Sequence, residues 1–259
     1  MHDKITISSQ SGRVHGSLET GSGTGAPIVL LFHGIFVTRS ENGRFDRLAP
    51  RLSAQGMDSL RIDLSGHGAS EVPSRDARVA RMATELLDAM TWVRDAGYST
   101  TYVVASSFSG ALTALALTSP ISDDLMPSKL VFLNPVLDFN NVFTHAALPE
   151  MAAIFTLLSQ ENAFRDGSFQ PTDTFTMSRE FLLELHNIDV PSAYLRLRLP
   201  HLVLHGDADE LVSYQRTAEI VAANPAARFE TVQGGVHAFT QSGHEARVWD
   251  RAIEWLQTT

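Results

Sequence analysis

A serine lies at the centre of a segment whose residue types suit nucleophilic chemistry. Residues 101–112 run Thr-Tyr-Val-Val-Ala-Ser-Ser-Phe-Ser-Gly-Ala-Leu. An apolar, β-branched run ends in small residues before an alanine- and leucine-rich stretch, which predicts a strand, a tight turn and a helix with Ser107 at the apex. Because a serine hydroxyl is inert at neutral pH, this chemistry also needs a base, an orienting acid and an oxyanion site.

The elements around this serine alternate between strand and helix patterns. Short apolar runs predict strands at residues 28–32, 59–63, 102–105, 129–133, 200–205 and 228–232, after an N-terminal strand pair. Helical spacing predicts helices over residues 44–55, 78–96 and 245–257. We therefore expect an α/β fold with a mostly parallel sheet and helices on both faces, and a ligand site at the carboxyl ends of the strands.

The alternation stops between residues 137 and 199, where helical patterns appear without a convincing strand. We predict that residues 1–136 and 200–259 form the core domain and that residues 137–199 form a helical cap or lid. A few of its large apolar side chains should line a pocket, while the others fill the cap's own core. These side chains are Phe139, Val142, Phe143, Leu148, Met151, Ile154, Phe155, Leu158, Phe164, Phe181 and Leu182.

Composition excludes several classes of function. The net charge of −9 and the lack of a Lys/Arg cluster argue against nucleic-acid binding. The chain has no cysteine, which excludes disulfides, thiolate zinc sites and a cysteine nucleophile. No signal-peptide pattern opens the sequence and no apolar run approaches the ~20 residues that span a bilayer, so we expect a cytoplasmic protein.

Neither a metal nor a redox cofactor is expected. His201 and His205 share one face of a predicted strand, but they lie roughly 13 Å apart at about 3.3 Å per residue and cannot bind one ion. No Gly-x-Gly-x-x-Gly motif follows a first strand, so no dinucleotide is implied. The site should work with amino-acid side chains and backbone groups alone.

The segment around Ser107 resembles the nucleophile elbow, Gly-x-Ser-x-Gly, of the α/β-hydrolase superfamily. Here Ala105 and Ser109 take the two glycine positions, and Ser106 and Ser109 remain alternative nucleophiles. The resemblance covers nearly the whole chain. It includes the loop Asp-Leu-Ser-Gly-His-Gly-Ala-Ser from Asp63, which we interpret as structural because its glycines permit turns at positive φ.

The resemblance also implies an oxyanion hole. The loop Phe-His-Gly-Ile-Phe after the first central strand is similar to the family's donor loop, which assigns one N–H to Ile35 and the other to Phe108. Two backbone donors suit the charge that forms on oxygen in a tetrahedral intermediate. His33 in this loop is interpreted as a structural histidine.

The acid and the base follow from two further matches to the family. The spacing Gly-x-x-Asp-x-x-Val selects Asp209, with Asp207 as the alternative that is better explained as a turn residue. A histidine in the glycine-containing loop after the last strand matches the family's base, which selects His237. His244 is a nearby alternative at the start of the closing helix. The chain order serine, aspartate, histidine is that of the family.

The resemblance implies acyl transfer to Ser107 followed by hydrolysis. The elbow sequence Ala-Ser-x-Ser is similar to that of a bacterial luminescence acyl-transferase. The loop that contains Phe-Asp-Arg-Leu-Ala resembles those of small bacterial carboxylesterases and cinnamoyl esterases. We expect a small ester or thioester of an apolar acyl group, free or carried on CoA or a carrier protein. An acyltransferase, a peptidase and a non-catalytic binding protein remain alternatives, and an apolar cap suits a pocket and a dimer interface equally.

Overall fold

The computed structural model describes residues 2–9, 12–21 and 23–258. Its strands are β1 (His2–Ser9), β2 (Gly12–Glu19), β3 (Ile28–Phe32), β4 (Asp58–Ile62), β5 (Thr101–Ser106), β6 (Lys129–Leu133), β7 (Ser168–Thr172), β8 (Phe175–Ser178), β9 (His201–Gly206) and β10 (Ala227–Val232). Its α-helices are α1 (Arg44–Ala54), α2 (Val79–Asp95), α3 (Phe108–Leu117), α4 (Pro149–Ile154), α5 (Leu157–Asp166), α6 (Arg179–Asn187), α7 (Val190–Arg196), α8 (Tyr214–Ala222) and α9 (His244–Gln257). Each predicted strand and helix is present, with ends within two residues of the expected ones.

Eight strands form one sheet in the order β1-β2-β4-β3-β5-β6-β9-β10. The strands β1 and β2 are antiparallel, and the six strands from β4 to β10 are parallel to one another. The register pairs Phe32 with Ala105 and Ser106 with Leu133, so β3, β5 and β6 end side by side. This arrangement confirms the predicted α/β fold and gathers several strand-end loops at one edge.

The parallel strands are buried on both faces, which explains their continuous apolar sequences. Along β3, Leu30 and Phe32 belong to an apolar cluster shared with α2 and α3, whereas Val29 and Leu31 belong to a cluster shared with α1 and α9. Alternate residues of a strand point to opposite faces, so a strand with a helix layer on each side needs apolar residues at every position. The sheet is thereby a rigid base for the loops at its edge.

The segment between β6 and β9 contains a short π-helical turn (Asn140–Thr144), the helices α4 to α7, and the antiparallel hairpin of β7 and β8. The prediction of no strand there was wrong. Both strands are short, and β7 contains Pro171, so their alternation is too brief to identify in the sequence. The division into core and cap domains stays a prediction, and positions 1, 10, 11, 22 and 259 lie outside the described residues.

Across the described ranges, no helix is both long and apolar enough to cross a bilayer. The longest helix, α2, has 17 residues and carries charged side chains along its length. Its buried residues recur at helical spacing and face the sheet. This helix therefore forms part of a layer on the sheet.

Candidate active site

Ser107 occupies the turn between β5 and α3 in a conformation that non-glycine residues rarely adopt, with φ 51° and ψ −116°. Its N–H donates to the Leu133 carbonyl at 2.9 Å, and its own carbonyl accepts from Gly110 and Val136. A Cβ on Gly110 would lie 2.5 Å from Pro135, so the turn closes only because this residue has no side chain. These contacts hold the serine at the edge of the sheet despite the strain.

Ser107, His237 and Asp209 meet in the structure. The Nε2 atom of His237 lies 2.9 Å from Ser107 Oγ, and its Nδ1 atom lies 2.8 Å from one Asp209 oxygen and 3.0 Å from the other. Because Nδ1 faces a carboxylate, it carries the ring proton, which leaves Nε2 free to accept the serine proton. This tautomer is the one that general-base chemistry requires.

Asp209 is buried and accepts several hydrogen bonds. The N–H groups of Leu211 and Val212 donate to Oδ1 at 2.9 Å each. Burial alone would raise the pKa of the Asp209 carboxyl, but the charge of His237 and hydrogen bonds from His205 and His237 outweigh it and hold the pKa below its usual range. The carboxylate is therefore ionised at neutral pH and can orient His237.

The alternative serines have other partners. Ser106 Oγ donates to Glu41 at 2.8 Å, and Ser109 Oγ donates to the His33 carbonyl. The ring of His33 is itself fixed, because Nδ1 donates to the Gly34 carbonyl at 2.7 Å and Nε2 accepts from a backbone N–H at 3.1 Å. Ser106 and Ser109 therefore face structural groups, and His33 braces the loop as expected.

The alternative acid and base lie apart from Ser107 as well. Asp207 accepts the Gly234 N–H at 2.6 Å, and His244 contacts Gln241 at 3.1 Å. The two histidines considered as metal ligands, His201 and His205, do not share a site. The Nε2 atom of His201 is hydrogen-bonded to the Tyr194 hydroxyl at 2.7 Å. Within the described ranges, no group of three or more histidine, aspartate or glutamate side chains could hold a metal ion.

The two predicted oxyanion donors flank Ser107. Among the described residues, no hydrogen-bond acceptor contacts the N–H of Ile35 or of Phe108, which begins α3. The neighbouring N–H groups are engaged, because Gly34 donates to Glu41 at 2.8 Å and Phe36 donates to His67 at 3.0 Å. The N-terminus of α3 adds a positive dipole at this point. The two N–H groups can therefore stabilise a developing negative charge on oxygen.

His67 holds the loop that contains Ile35 and Phe36, as a neutral acceptor. Burial lowers its pKa to about 3, since a charged imidazole would lose its hydration there. At neutral pH its Nε2 therefore keeps a lone pair for the Phe36 N–H. This bond fixes the loop residue that follows Ile35.

Glu41 is a site residue that the sequence did not identify. One carboxylate oxygen accepts from Gly34, and the other accepts from Ser106 Oγ and lies 3.4 Å from Arg44 Nη1. Both side chains are buried. Glu41 therefore joins the loop that contains Gly34 and Ile35 to the turn at Ser107, and its bond to Ser106 spans 65 positions of sequence. No sequence pattern marks this contact.

Asn134 and Glu210 fix the loop that carries His237. The Asn134 amide donates to the His237 carbonyl at 2.6 Å, and its oxygen accepts the Gly206 N–H at 2.8 Å. Glu210 accepts the His237 N–H at 3.0 Å. The position of Asn134, directly after a predicted strand, was the signal that could have found it.

A cavity of about 200 Å³ opens over Ser107 and His237. Its apolar wall contains Val142, Phe143 and Met151 from the segment between β6 and β9, together with Val136 and Leu211. Its polar wall contains Glu41, Asn42, Arg44 and Glu210. Three of the eleven apolar side chains singled out in that segment thus line the cavity, and others, such as Phe155 and Phe181, are buried in the core.

Solved structures share this architecture. Est1E from Butyrivibrio proteoclasticus, with ferulic acid bound, has a TM-score of 0.79 at 21% identity, covering 97% of each chain. An esterase from Pyrococcus furiosus has a TM-score of 0.75 at 16% identity, covering 99% of this chain and 90% of that one. An esterase from Exiguobacterium antarcticum has a TM-score of 0.72 at 14% identity, covering 99% and 100%. At these identities the likeness shows the fold alone.

The sequence comparisons give the family. No curated protein matches the chain significantly. A model of the alpha/beta hydrolase family matches residues 28–256, which include β3 to β10 and every residue placed at the site above. Because this match spans most of the chain and agrees with the sheet topology, the protein is a member of the alpha/beta hydrolase family.

Proposed function

We propose that this protein is a serine hydrolase that cleaves an ester or thioester of an apolar acyl group through an acyl-enzyme intermediate. Ser107 is the nucleophile, His237 the general base and Asp209 the orienting acid. The observation that carries the proposal is the unbroken series of contacts from Ser107 Oγ to His237 Nε2 at 2.9 Å and from His237 Nδ1 to Asp209 at 2.8 Å.

In acylation, Ser107 Oγ attacks the carbonyl carbon and its proton moves to His237 Nε2. The N–H groups of Ile35 and Phe108 hold the resulting oxyanion. The intermediate collapses as the C–O or C–S bond breaks, and the His237 imidazolium gives its proton to the leaving alcohol or thiol.

In deacylation, water attacks the acyl-enzyme carbonyl and His237 takes the water proton. Collapse of the second intermediate breaks the bond to Ser107 Oγ, which regains its proton from His237. The products are a free acid and the original enzyme. Asp209 stays ionised throughout and stabilises the imidazolium.

The cavity supports an acyl group of moderate size. Its volume of about 200 Å³ lies below the ~300–1,000 Å³ range typical of ligand pockets, which limits the size of the acyl group. The apolar side chains of Val142, Phe143 and Met151 suit a hydrocarbon or aromatic acyl group. Est1E was solved with ferulic acid bound, so a cinnamoyl ester belongs in the substrate series beside the straight chains.

The test is the rate of hydrolysis of p-nitrophenyl esters from acetyl to long-chain acyl, with acyl-CoA thioesters in parallel. Ser107→Ala should lower kcat by about 10⁴- to 10⁶-fold, as expected when a triad nucleophile is removed. Ser106→Ala and Ser109→Ala are matched controls and should keep most of the activity. A Ser107→Ala enzyme as active as the wild type would overturn the proposal.

A second readout is the covalent intermediate. Mass spectrometry of enzyme mixed with a slowly turned-over ester should show one acyl adduct on the peptide that contains Ser107, with an initial burst of p-nitrophenol. Adding alcohol or amine acceptors measures how much acyl group goes to water. A product pool made only of acyl-acceptor conjugates would replace hydrolysis with acyl transfer.

A further inference from the structure

Asp209 contacts a second histidine besides His237. His205, the penultimate residue of β9, places its Nε2 atom 3.2 Å from Asp209 Oδ2 and 3.2 Å from the Val212 carbonyl. The side chains of His205 and Asp209 are both completely buried. The mechanism above does not use this histidine.

The partners of His205 fix its tautomer. Both groups near Nε2 are acceptors, so Nε2 carries the proton and donates. Within the described part of the chain, the buried Nδ1 atom has no hydrogen-bond partner. A second proton there would be an unsatisfied buried donor, which is costly. The Nε2–H of His205 is therefore directed at Asp209 and the Val212 carbonyl.

The surroundings of His205 are otherwise aromatic. The Tyr214 ring from α8 lies at 5.8 Å and the Phe229 ring from β10 at 6.4 Å, measured between ring centroids. The Tyr214 hydroxyl is hydrogen-bonded to Thr231. Among the described residues, Asp209 is thus the charged group in direct contact with the ring, with Tyr214 as the other titratable neighbour.

We propose that His205 is a positioning residue that tunes the base His237 through Asp209. Its Nε2–H shares the Oδ2 oxygen with the Nδ1–H of His237 and withdraws part of the negative charge that the imidazolium would otherwise feel. The inference rests on the proposed function, because it concerns the same aspartate and histidine. A histidine that only filled space under the sheet would have no such effect.

The consequence is a specific pH dependence. Without the His205 donor, the carboxylate would attract the His237 proton more strongly and be less stabilised as an anion. Both effects make the Asp209–His237 pair hold its proton to higher pH. The acid limb of the kcat/KM profile, which reports that proton in the free enzyme, should then move upward.

Two variants distinguish the effect of the His205 N–H group from that of the His205 ring. His205→Phe keeps a flat ring against Tyr214 and Phe229 but removes the N–H, and it should raise the acid limb by about 0.5–1 pH unit, since this range corresponds to part of one charge-assisted hydrogen bond. His205→Gln returns an N–H near the position of Nε2, so it should restore the wild-type limb. A limb that stays in place in His205→Phe overturns the inference.

His201→Phe is the matched control on the same strand. His201 is also buried, but its Nε2 contacts the Tyr194 hydroxyl instead of Asp209. It should lower the melting temperature without moving the acid limb. An equal shift in His201→Phe would mean that general loosening of β9 causes the effect, which would overturn the inference.

A measurement on the wild-type protein covers the case in which His205→Phe does not fold. Long-range ¹⁵N–¹H NMR of the imidazoles should show His205 as a neutral Nε2–H ring across the whole acid limb, while His237 changes its state there. A His205 that titrates together with the limb overturns the inference. If Ser107→Ala keeps wild-type activity, the proposed function fails on its own account, whatever His205 does.

Discussion

The loops at the carboxyl ends and at the amino ends of the sheet's strands differ in which residues adopt positive φ. At the carboxyl edge, six non-glycine residues have φ between 43° and 68°, namely Phe36, Glu41, Asn42, Ser107, Asn134 and Phe239. They are all the non-glycine residues of positive φ in the described ranges. At the amino edge, the left-handed positions in those ranges are glycines, among them Gly25, Gly56 and Gly97.

In the described ranges, non-glycine residues of positive φ occur only in the carboxyl-end loops, which also contain positive-φ glycines such as Gly66 and Gly234. Glycine adopts positive φ without steric cost, whereas a side chain there costs of order 1–3 kcal/mol. The carboxyl edge accepts that cost at Ser107, Glu41 and Asn134, whose side chains contact other parts of the site. Substitutions at the two edges should therefore separate activity from stability.

After Ser107→Ala, the largest expected effect is that of Asp209→Asn. The amide cannot stabilise an imidazolium and favours the wrong His237 tautomer, so kcat should fall by about 10⁴-fold. Asp207→Asn, two residues away, should keep kcat within about twofold of the wild type, because Asp207 only accepts the Gly234 N–H. Steady-state kinetics on one ester measures both. More than a tenth of wild-type activity in Asp209→Asn would remove this acid from the mechanism.

Glu41→Ala should have the next largest effect. It frees the Gly34 N–H and Ser106 Oγ and leaves Arg44 without this partner, so we expect a roughly 10²-fold loss in kcat and a stability loss of about 3–5 kcal/mol. Glu41→Gln keeps polar contacts to both groups, so it should recover most of the wild-type kcat. Its melting temperature should be similar to that of Glu41→Ala, because both variants lose the carboxylate that faces Arg44. If the two variants lose kcat equally, Glu41 does not act on the loop that contains Gly34 and Ile35.

Substitutions of Asn134 separate the effect of its backbone strain from the effect of its side-chain hydrogen bonds. Asn134→Ala and Asn134→Gly both lose the bonds to His237 and Gly206, so each should reduce kcat about tenfold. The glycine variant relieves the φ of 43° and should melt higher than the alanine variant, by about 3 °C for about 1 kcal/mol. The comparison fails if alanine is the more stable replacement.

Gly97→Ala should have the smallest effect on activity. A Cβ there meets no atom within 4 Å, but φ is +90°, so backbone strain should cost about 1–2 kcal/mol. The melting temperature should fall by a few degrees while kcat stays unchanged. A loss of kcat comparable with that of Asn134→Ala would show that the amino edge also controls the site.

The parts of the site that could be predicted are those with local signatures. Ser107 follows a strand and precedes a helix. Asp209 and His237 follow the ends of later strands, at positions that resemble the motifs of the α/β-hydrolase family. The structure brings these three together, and their roles stay a proposal. The layered arrangement could also be predicted, since continuous apolar runs indicate a parallel sheet covered on both faces.

The residues that were missed make contacts across the fold. Glu41 reaches Ser106 over 65 residues and Asn134 reaches His237 over 103, and neither pair has a spacing that a local pattern could reveal. His205 was considered only as a metal ligand, because the direction of its ring depends on the turn after β9. The β7–β8 hairpin was missed because five- and four-residue strands give too little alternation.

The separation of 130 positions between Ser107 and His237 also bears on how the chain folds. Their contact needs β5 and the loop after β10 to be in place, with β6 and β9 paired between them. Such pairings close long loops and form late, after local helices. Recovery of catalysis after dilution from denaturant should therefore lag behind the far-ultraviolet circular dichroism signal and report the last step of sheet assembly.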